Sequence, residues 1–196
     1  MGPSEPPGLD ADRALVAAVL ARTPGSFETL VRAYQGLCWH IIDRMVRHPD
    51  DTRELCQDTF LRVYRYLHQY RFESALKSWI GQIAYSVAKR HLERRRIPLA
   101  EPVGDYEGAS AVEQVADDFD LEAASADDEL SAALHREIEA LPPLQRMVLT
   151  LYHLDEVPIP EIARITGLPA GTLKSHLFRC RALLRRRLEV RMGVEK

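Results

Sequence analysis

The sequence predicts an all-α protein: two small helical domains joined by a flexible acidic linker, the C-terminal one carrying a helix–turn–helix. Three observations predict it. Apolar residues recur at intervals of three and four through residues 10–96 and again through 128–191, the period of amphipathic helices. Between them the periodicity weakens and Pro, Gly, Ser and acidic residues accumulate. Charge is segregated in the same way. From Ile97 to His135 there are 11 acidic residues and no Lys or Arg, so the net charge of −3 conceals 26 basic against 18 acidic residues elsewhere. Basic segments on either side of an acidic one suit a polyanionic partner.

A chain of 196 residues that is 46% hydrophobic can close two small cores. No apolar run is long enough to span a bilayer. The opening MGPSEPPG is polar and Pro-rich, reads as a disordered tail over residues 1–9, and lacks a signal peptide. The chain is therefore expected in the cytoplasm, with no membrane insertion. Cys38, Cys56 and Cys180 are far apart, sit within apolar helical patterns and form no CxxC; they read as small buried hydrophobes. His176 and Cys180 are one turn apart but have no further ligand nearby, so no metal and no other cofactor is expected.

In chain order, Asp10 can cap a first helix, stopped by Thr23-Pro24-Gly25. Ser26 can cap a second, with Phe27, Leu30, Val31, Tyr34, Leu37, Cys38, Ile41 and Ile42 on its apolar face, ended by His48-Pro49-Asp50. Asp51 opens a third helix with Glu54 three residues on, a capping box. There Leu55, Cys56, Phe60, Val63, Tyr64 and Leu67 would face inward, and Gln57, Asp58, Arg62 and Arg65 outward. An aromatic and charged loop, His68 to Leu76, leads to a fourth helix from Lys77, where Trp79, Ile83 and Val87 step by four and both ends are basic. Rings interleaved with bases suit single-stranded nucleic acid, since bases stack on rings while Arg meets phosphate.

The linker, residues 97–127, precedes a helix that Pro142-Pro143 breaks. LQRMVLTLYHL follows, with Leu144, Val148, Leu151 and Tyr152 inward. Residues 161–188 then read as two helices around a tight turn, with Gly167 suited to the left-handed position that ends the first. The second presents Leu173, Leu177, Cys180, Leu184 and Leu188 as one apolar seam. Lys174, Arg179, Arg181, Arg185, Arg186, Arg187 and Arg191 lie largely off it. A seam backing a basic face is what a helix needs to lie in the DNA major groove.

DTRELCQDTFLRVYRYL, SWIGQIAYSVAKRHLERRR, LPPLQRMVLTLYHL and EIARITGLPAGTLKSHLFRCRALLRRRL, in that order and spacing, resemble the extracytoplasmic-function (ECF) group of sigma-70 superfamily RNA polymerase sigma factors. The resemblance implies that residues 10–96 are region two and 128–191 region four. It implies core RNA polymerase docking through Asp51, Glu54, Gln57, Asp58, Phe60 and Arg62. Melting of the minus-ten element and capture of the non-template strand would fall to Tyr70, Phe72, Lys77, Ser86, Lys89, Arg90, Arg94 and Arg95. Reading of the minus-thirty-five element would fall to Thr172, Lys174, Ser175, His176, Arg179 and Arg181. An anti-sigma factor, often membrane-tethered in this family, would hold the protein inactive.

The chain departs from the family pattern at Ser86 and Arg90, where Asn and Asp are usual, at Arg53, usually acidic, and at His176, usually Arg. A LuxR-type helix–turn–helix regulator is the alternative, since TLKSHL resembles that module too. It would need an α/β sensor domain in front, and residues 1–96 show no strand–helix alternation. No Ser-His-Asp order, phosphate loop, HExxH or paired carboxylate site points to an enzyme.

Overall fold

The computed structural model describes residues 9–100 and 128–191. Of the tail predicted over residues 1–9, residues 1–8 lie outside the described residues and Leu9 opens the first helix; of the acidic linker predicted over 97–127, residues 101–127 lie outside them. Every regular element among those described is a helix. They form two compact units whose main break falls between Arg95 and Arg96.

The first unit comprises α1 (Leu9–Leu20), α2 (Ser26–Val46), α3 (Pro49–Tyr66), a 3₁₀ turn (Leu67–Gln69) and α4 (Leu76–Arg94). Helices α2, α3 and α4 pack against one another, and α1 lies along α2. Leu30, Cys38, Ile41, Ile42 and Met45 from α2, Phe60 and Val63 from α3, and Ile80, Ala84, Ala88 and Leu92 from α4 make the core. Each large apolar side chain buried there stabilises the fold by about 1.5–3 kcal/mol before entropy is counted.

The stripe on α4 differs from the expected one. Trp79 and Ile83 are half-buried, and the inward line runs Leu76, Ile80, Ala84, Ala88, with Val87 and Leu92 beside it. The two alanines conceal this line in the sequence, because small residues carry little hydrophobic signal while allowing close helix approach. Tyr64 also departs from expectation: it is exposed on α3, its ring edge-to-face with Phe27 at 5.0 Å.

Helix starts are set by residues other than those predicted. Ser26 is the first residue of α2, not its cap. Gly25 caps it in the left-handed region at φ 78°, and the Ser26 hydroxyl reaches the carbonyls of Thr23 and Ala18. Helix α3 begins at Pro49, and the His48 imidazole accepts from the Asp51 backbone N–H. Proline at the first position costs nothing there, because its missing donor would have no intrahelical partner. The capping box from Asp51 to Glu54 therefore does not form.

The second unit is built on α5 (Asp128–Glu139), α6 (Pro143–His153), the start of α7 (Ile159–Thr166) and α8 (Ala170–Arg191), with α8 packed on α5 and α6. Pro143 opens α6 after the break at Pro142. Arg146 on α6 is only 5% exposed. It donates from Nη1 to the carbonyls of Glu139 and Leu141, at the C-terminal end of α5, where a helix's last carbonyls lack intrahelical donors. Gly167 separates α7 from α8 with φ 73°, the left-handed value the sequence predicts there.

Candidate polymerase and nucleic-acid interfaces

On α3 the outward positions Glu54, Gln57, Leu61, Tyr64 and Arg65 are exposed and spaced by three and four residues, so they form one stripe. Leu61 is 68% exposed and Tyr64 51%. Beside them Asp58 is half-exposed, and one of its carboxylate oxygens accepts from Nε of Arg62 at 3.1 Å and lies 2.9 Å from Nη2 of the same guanidinium. Of the six residues assigned to docking from the sequence, four lie on or beside this stripe. Phe60 does not, being core. Nor does Asp51, whose side chain is 16% exposed.

Asp51 instead ties the start of α3 to the end of α4. Its Oδ2 lies 3.1 Å from Nη2 of Arg95, 3.5 Å from Nε2 of His91 and 3.6 Å from Nδ1 of His48. A carboxylate in the first turn of a helix is favoured by the macrodipole, and bases in the last turn likewise. One anion here serves both ends. The sequence missed Leu61 altogether. The signal was available: an apolar residue off the core face, three residues from an aromatic one.

The loop between the 3₁₀ turn and α4 holds the rings. Tyr70 is buried, with Phe72 at 4.6 Å and Trp79 at 5.4 Å between ring centroids, and its hydroxyl donates to the Ser74 carbonyl. Burial, reinforced by Asp12, pushes the Tyr70 phenol up to about 12, so it stays a donor. Tyr70 is thus the floor of the loop rather than a free stacking platform, and the half-buried Phe72 is the ring nearer solvent. Lys77, Arg90, Arg94 and Arg95 are exposed around α4, while Ser86 and Lys89 are half-buried.

In the second unit, Lys174 is exposed near the start of α8, with Thr172, Ser175, Arg179 and Arg181 half-buried around it. The Ser175 hydroxyl donates to the Gly171 carbonyl at 3.0 Å. The far end of α8 is turned to structural use. Glu137 of α5 takes Nη1 of Arg187 at 3.3 Å and Nη1 of Arg191 at 2.8 Å.

His176 departs from its expected groove-facing place. It is 5% exposed, on the same face of α8 as Leu173, Leu177 and Cys180, and its Nδ1 has no hydrogen-bond partner among the described residues. Burial, then Arg179, lowers its pKa. Because the folded value lies below the unfolded value of about 6.5, the unfolded chain binds more protons just below that pH. Stability is therefore full above about 6.5 and falls as the pH drops toward the folded value. His176→Leu is expected to flatten this slope between pH 7 and 5.5, read as hydrogen-exchange protection of α8 amides; an unchanged slope would place the titration elsewhere.

No three His, Cys, Asp or Glu side chains converge to hold a metal among the described residues, and no described helix is long and apolar enough to cross a membrane. Burial raises the Cys38 thiol to about 12 and the Cys56 thiol to about 11, which keeps both protonated and unreactive.

Comparison with known proteins places this geometry. The family model for sigma-70 region 2 matches residues 30–97, and that for sigma-70 region 4 matches residues 131–184. The RNA polymerase sigma-H factor of Pseudomonas aeruginosa is 31% identical over 186 residues, covering 92% of this chain and 95% of the relative. The ECF RNA polymerase sigma-E factor of Escherichia coli K12 is 32% identical over 176 residues, covering 87% and 90%. Among solved structures, CnrH in complex with the cytosolic domain of CnrY superposes with TM-score 0.61 at 21% identity, covering 92% of this chain and 99% of that one. The sigma factor RpoE of Bartonella quintana, in complex with the anti-sigma factor NepR, gives 0.56 at 17%, covering 88% and 99%.

The chain belongs to the ECF group of sigma-70 family RNA polymerase sigma factors. Such a factor binds core RNA polymerase and promoter DNA and directs transcription initiation. The LuxR-type alternative is not favoured.

Proposed function

We propose that the work is divided by element. The outward stripe of α3, with Glu54, Gln57, Asp58, Leu61, Arg62 and Tyr64, docks on core RNA polymerase. Residues 68–96 open the minus-ten element, Phe72 offering the stacking face and Lys77, Arg90 and Arg94 the phosphate contacts. Lys174, Ser175 and Arg179, with Thr172 and Arg181 beside them, meet the minus-thirty-five element in the major groove.

One observation carries this division. Of the first unit's large exposed apolar residues, Leu61, Tyr64 and Tyr66 lie on α3, whereas the exposed cations Lys77, Arg90 and Arg94 lie on α4, which gives protein and nucleic acid different helices to meet. A membrane-tethered or soluble anti-sigma factor would cover the same α3 stripe; of the solved neighbours, CnrH was determined with the cytosolic domain of CnrY and RpoE with the anti-sigma factor NepR. The protein acts in the cytoplasm, where core polymerase and promoters are found, and has no chemistry of its own.

Run-off transcription with purified core polymerase and genomic templates tests the division. Wild type is expected to give discrete transcripts. Lys174→Ala is expected to weaken binding to promoter duplex and to reduce the dependence of log affinity on log salt by about one unit, the signature of one phosphate contact. An unchanged salt slope would remove Lys174 from the interface.

A further inference from the structure

We infer that Asp12 and Arg13 on α1 are positioning residues for promoter opening, holding the aromatic loop in the form that receives the melted strand. Both precede the stretch that the sigma-70 region 2 model matches, which begins at residue 30. The inference rests on the proposed role of residues 68–96 and extends it to a helix to which the sequence assigned no role.

The contacts are specific. Helix α4 starts at Leu76 after Ala75, which has no side-chain acceptor to cap it. Asp12 fills that role from 64 positions away, its Oδ2 accepting from the Leu76 backbone N–H at 2.9 Å. A carboxylate at a helix N-terminus both satisfies a donor and meets the positive end of the dipole. The other oxygen of Asp12 accepts from the Tyr34 hydroxyl of α2 at 3.1 Å. The carboxylate is therefore fixed from two sides, and the first turn of α4 is fixed to it.

Arg13, the next residue, places its guanidinium 5.8 Å from the centroid of the Phe72 ring, and Asp10 lies 3.7 Å from the same group. Phe72 holds φ 58°. That conformation is strained for a bulky side chain and persists only where the surroundings impose it. Here the surroundings include the Arg13 guanidinium and the buried Tyr70 ring, whose centroid is 4.6 Å away. Asp12 thus anchors the end of the loop while Arg13 sets the angle of its half-buried Phe72 ring.

The test uses holoenzyme assembled from the full chain and core polymerase, on a promoter fragment found by run-off transcription with wild type. Opening is followed by permanganate reactivity on the duplex and, in parallel, as transcription from the same fragment already mismatched over the minus-ten element. Asp12→Ala is expected to slow duplex opening by about tenfold or more, as loss of a charged hydrogen bond predicts. Arg13→Ala is expected to slow it about threefold, in line with a half-exposed cation–π contact, and Arg13→Lys to recover most of that. Transcription from the mismatched fragment and affinity for core polymerase should stay at wild-type levels.

Phe72→Ala separates the layers. If it slows duplex opening while Asp12→Ala and Arg13→Ala do not, the inference falls and the loop's role stands. If Phe72→Ala also opens duplex at the wild-type rate, the loop's role itself falls. Equal losses on both templates, with loss of core binding, would make Asp12 a brace of the fold alone and overturn the inference.

Discussion

Leu61→Asp is expected to cut affinity for core RNA polymerase by about a hundredfold while leaving the protein as stable as wild type. Both halves follow from position. Leu61 is 68% exposed, so its replacement removes little packing from the unit. Surface changes of that kind usually stay within about 0.5 kcal/mol of wild type. At an interface the same residue is an apolar anchor, flanked by Gln57, Asp58 and Tyr64 at three and four residues. Truncating such an anchor typically costs about 2 kcal/mol or more. Placing a carboxylate in the desolvated contact adds the penalty of an unpaired charge. Together these reach the ~2.7 kcal/mol that a hundredfold change represents. Tyr64 would be a poorer probe, because its ring also packs against Phe27 and its loss would loosen α2 against α3. Titration of core polymerase with labelled protein, beside a thermal melt, reads both quantities. Affinity within threefold of wild type would remove α3's apolar stripe from the docking surface.

The sequence made the helices legible because their signals are local. Periodicity placed all eight α-helices of the described residues to within a few positions, and Gly167 marked the turn because only a residue free of Cβ adopts a left-handed backbone readily. What sequence could not show is decided by side chains meeting across the fold. Asp51 reads as a cap and a docking residue until the last turn of α4 brings His91 and Arg95 to it. Asp12 reads as a charge in the first turn of a helix, and nothing in the chain announces that it caps another helix 64 positions on. His176 was legible and misread: it follows Leu173 by three and precedes Cys180 by four, so it belongs to the seam by period. Its polarity and its place in a DNA-reading motif argued the other way. Burial decided for period.

The same distinction explains why the second unit should fail most sharply at a residue that resembles a surface cation. Arg146→Ala is expected to destabilise that unit by about 2–4 kcal/mol. Arg146 is 5% exposed, and Nη1 bonds the carbonyls of Glu139 (2.7 Å) and Leu141 (3.1 Å), fixing the end of α5 to α6. Removing it takes a donor from each of two carbonyls, one buried and one part-buried, and opens a cavity where the side chain lay. Each unsatisfied group costs about 1–3 kcal/mol. For a unit of this size, every kcal/mol moves the melting midpoint by about 4–8 °C. Arg146→Lys should recover only part of the loss, since an ammonium is a more strongly hydrated point charge than a guanidinium and costs more to bury. The consequence reaches function because α8 packs on both helices that Arg146 joins. A frayed α5–α6 corner takes away the platform under Lys174 and Arg179, the residues proposed to meet duplex DNA. Hydrogen exchange on the full-length protein should therefore show α5, α6 and α8 losing protection together in Arg146→Ala, while α2, α3 and α4 keep theirs. Binding to promoter duplex should fall in step, and core docking through α3 should persist. Retained protection in α5 would show that its terminal carbonyls are satisfied without the guanidinium.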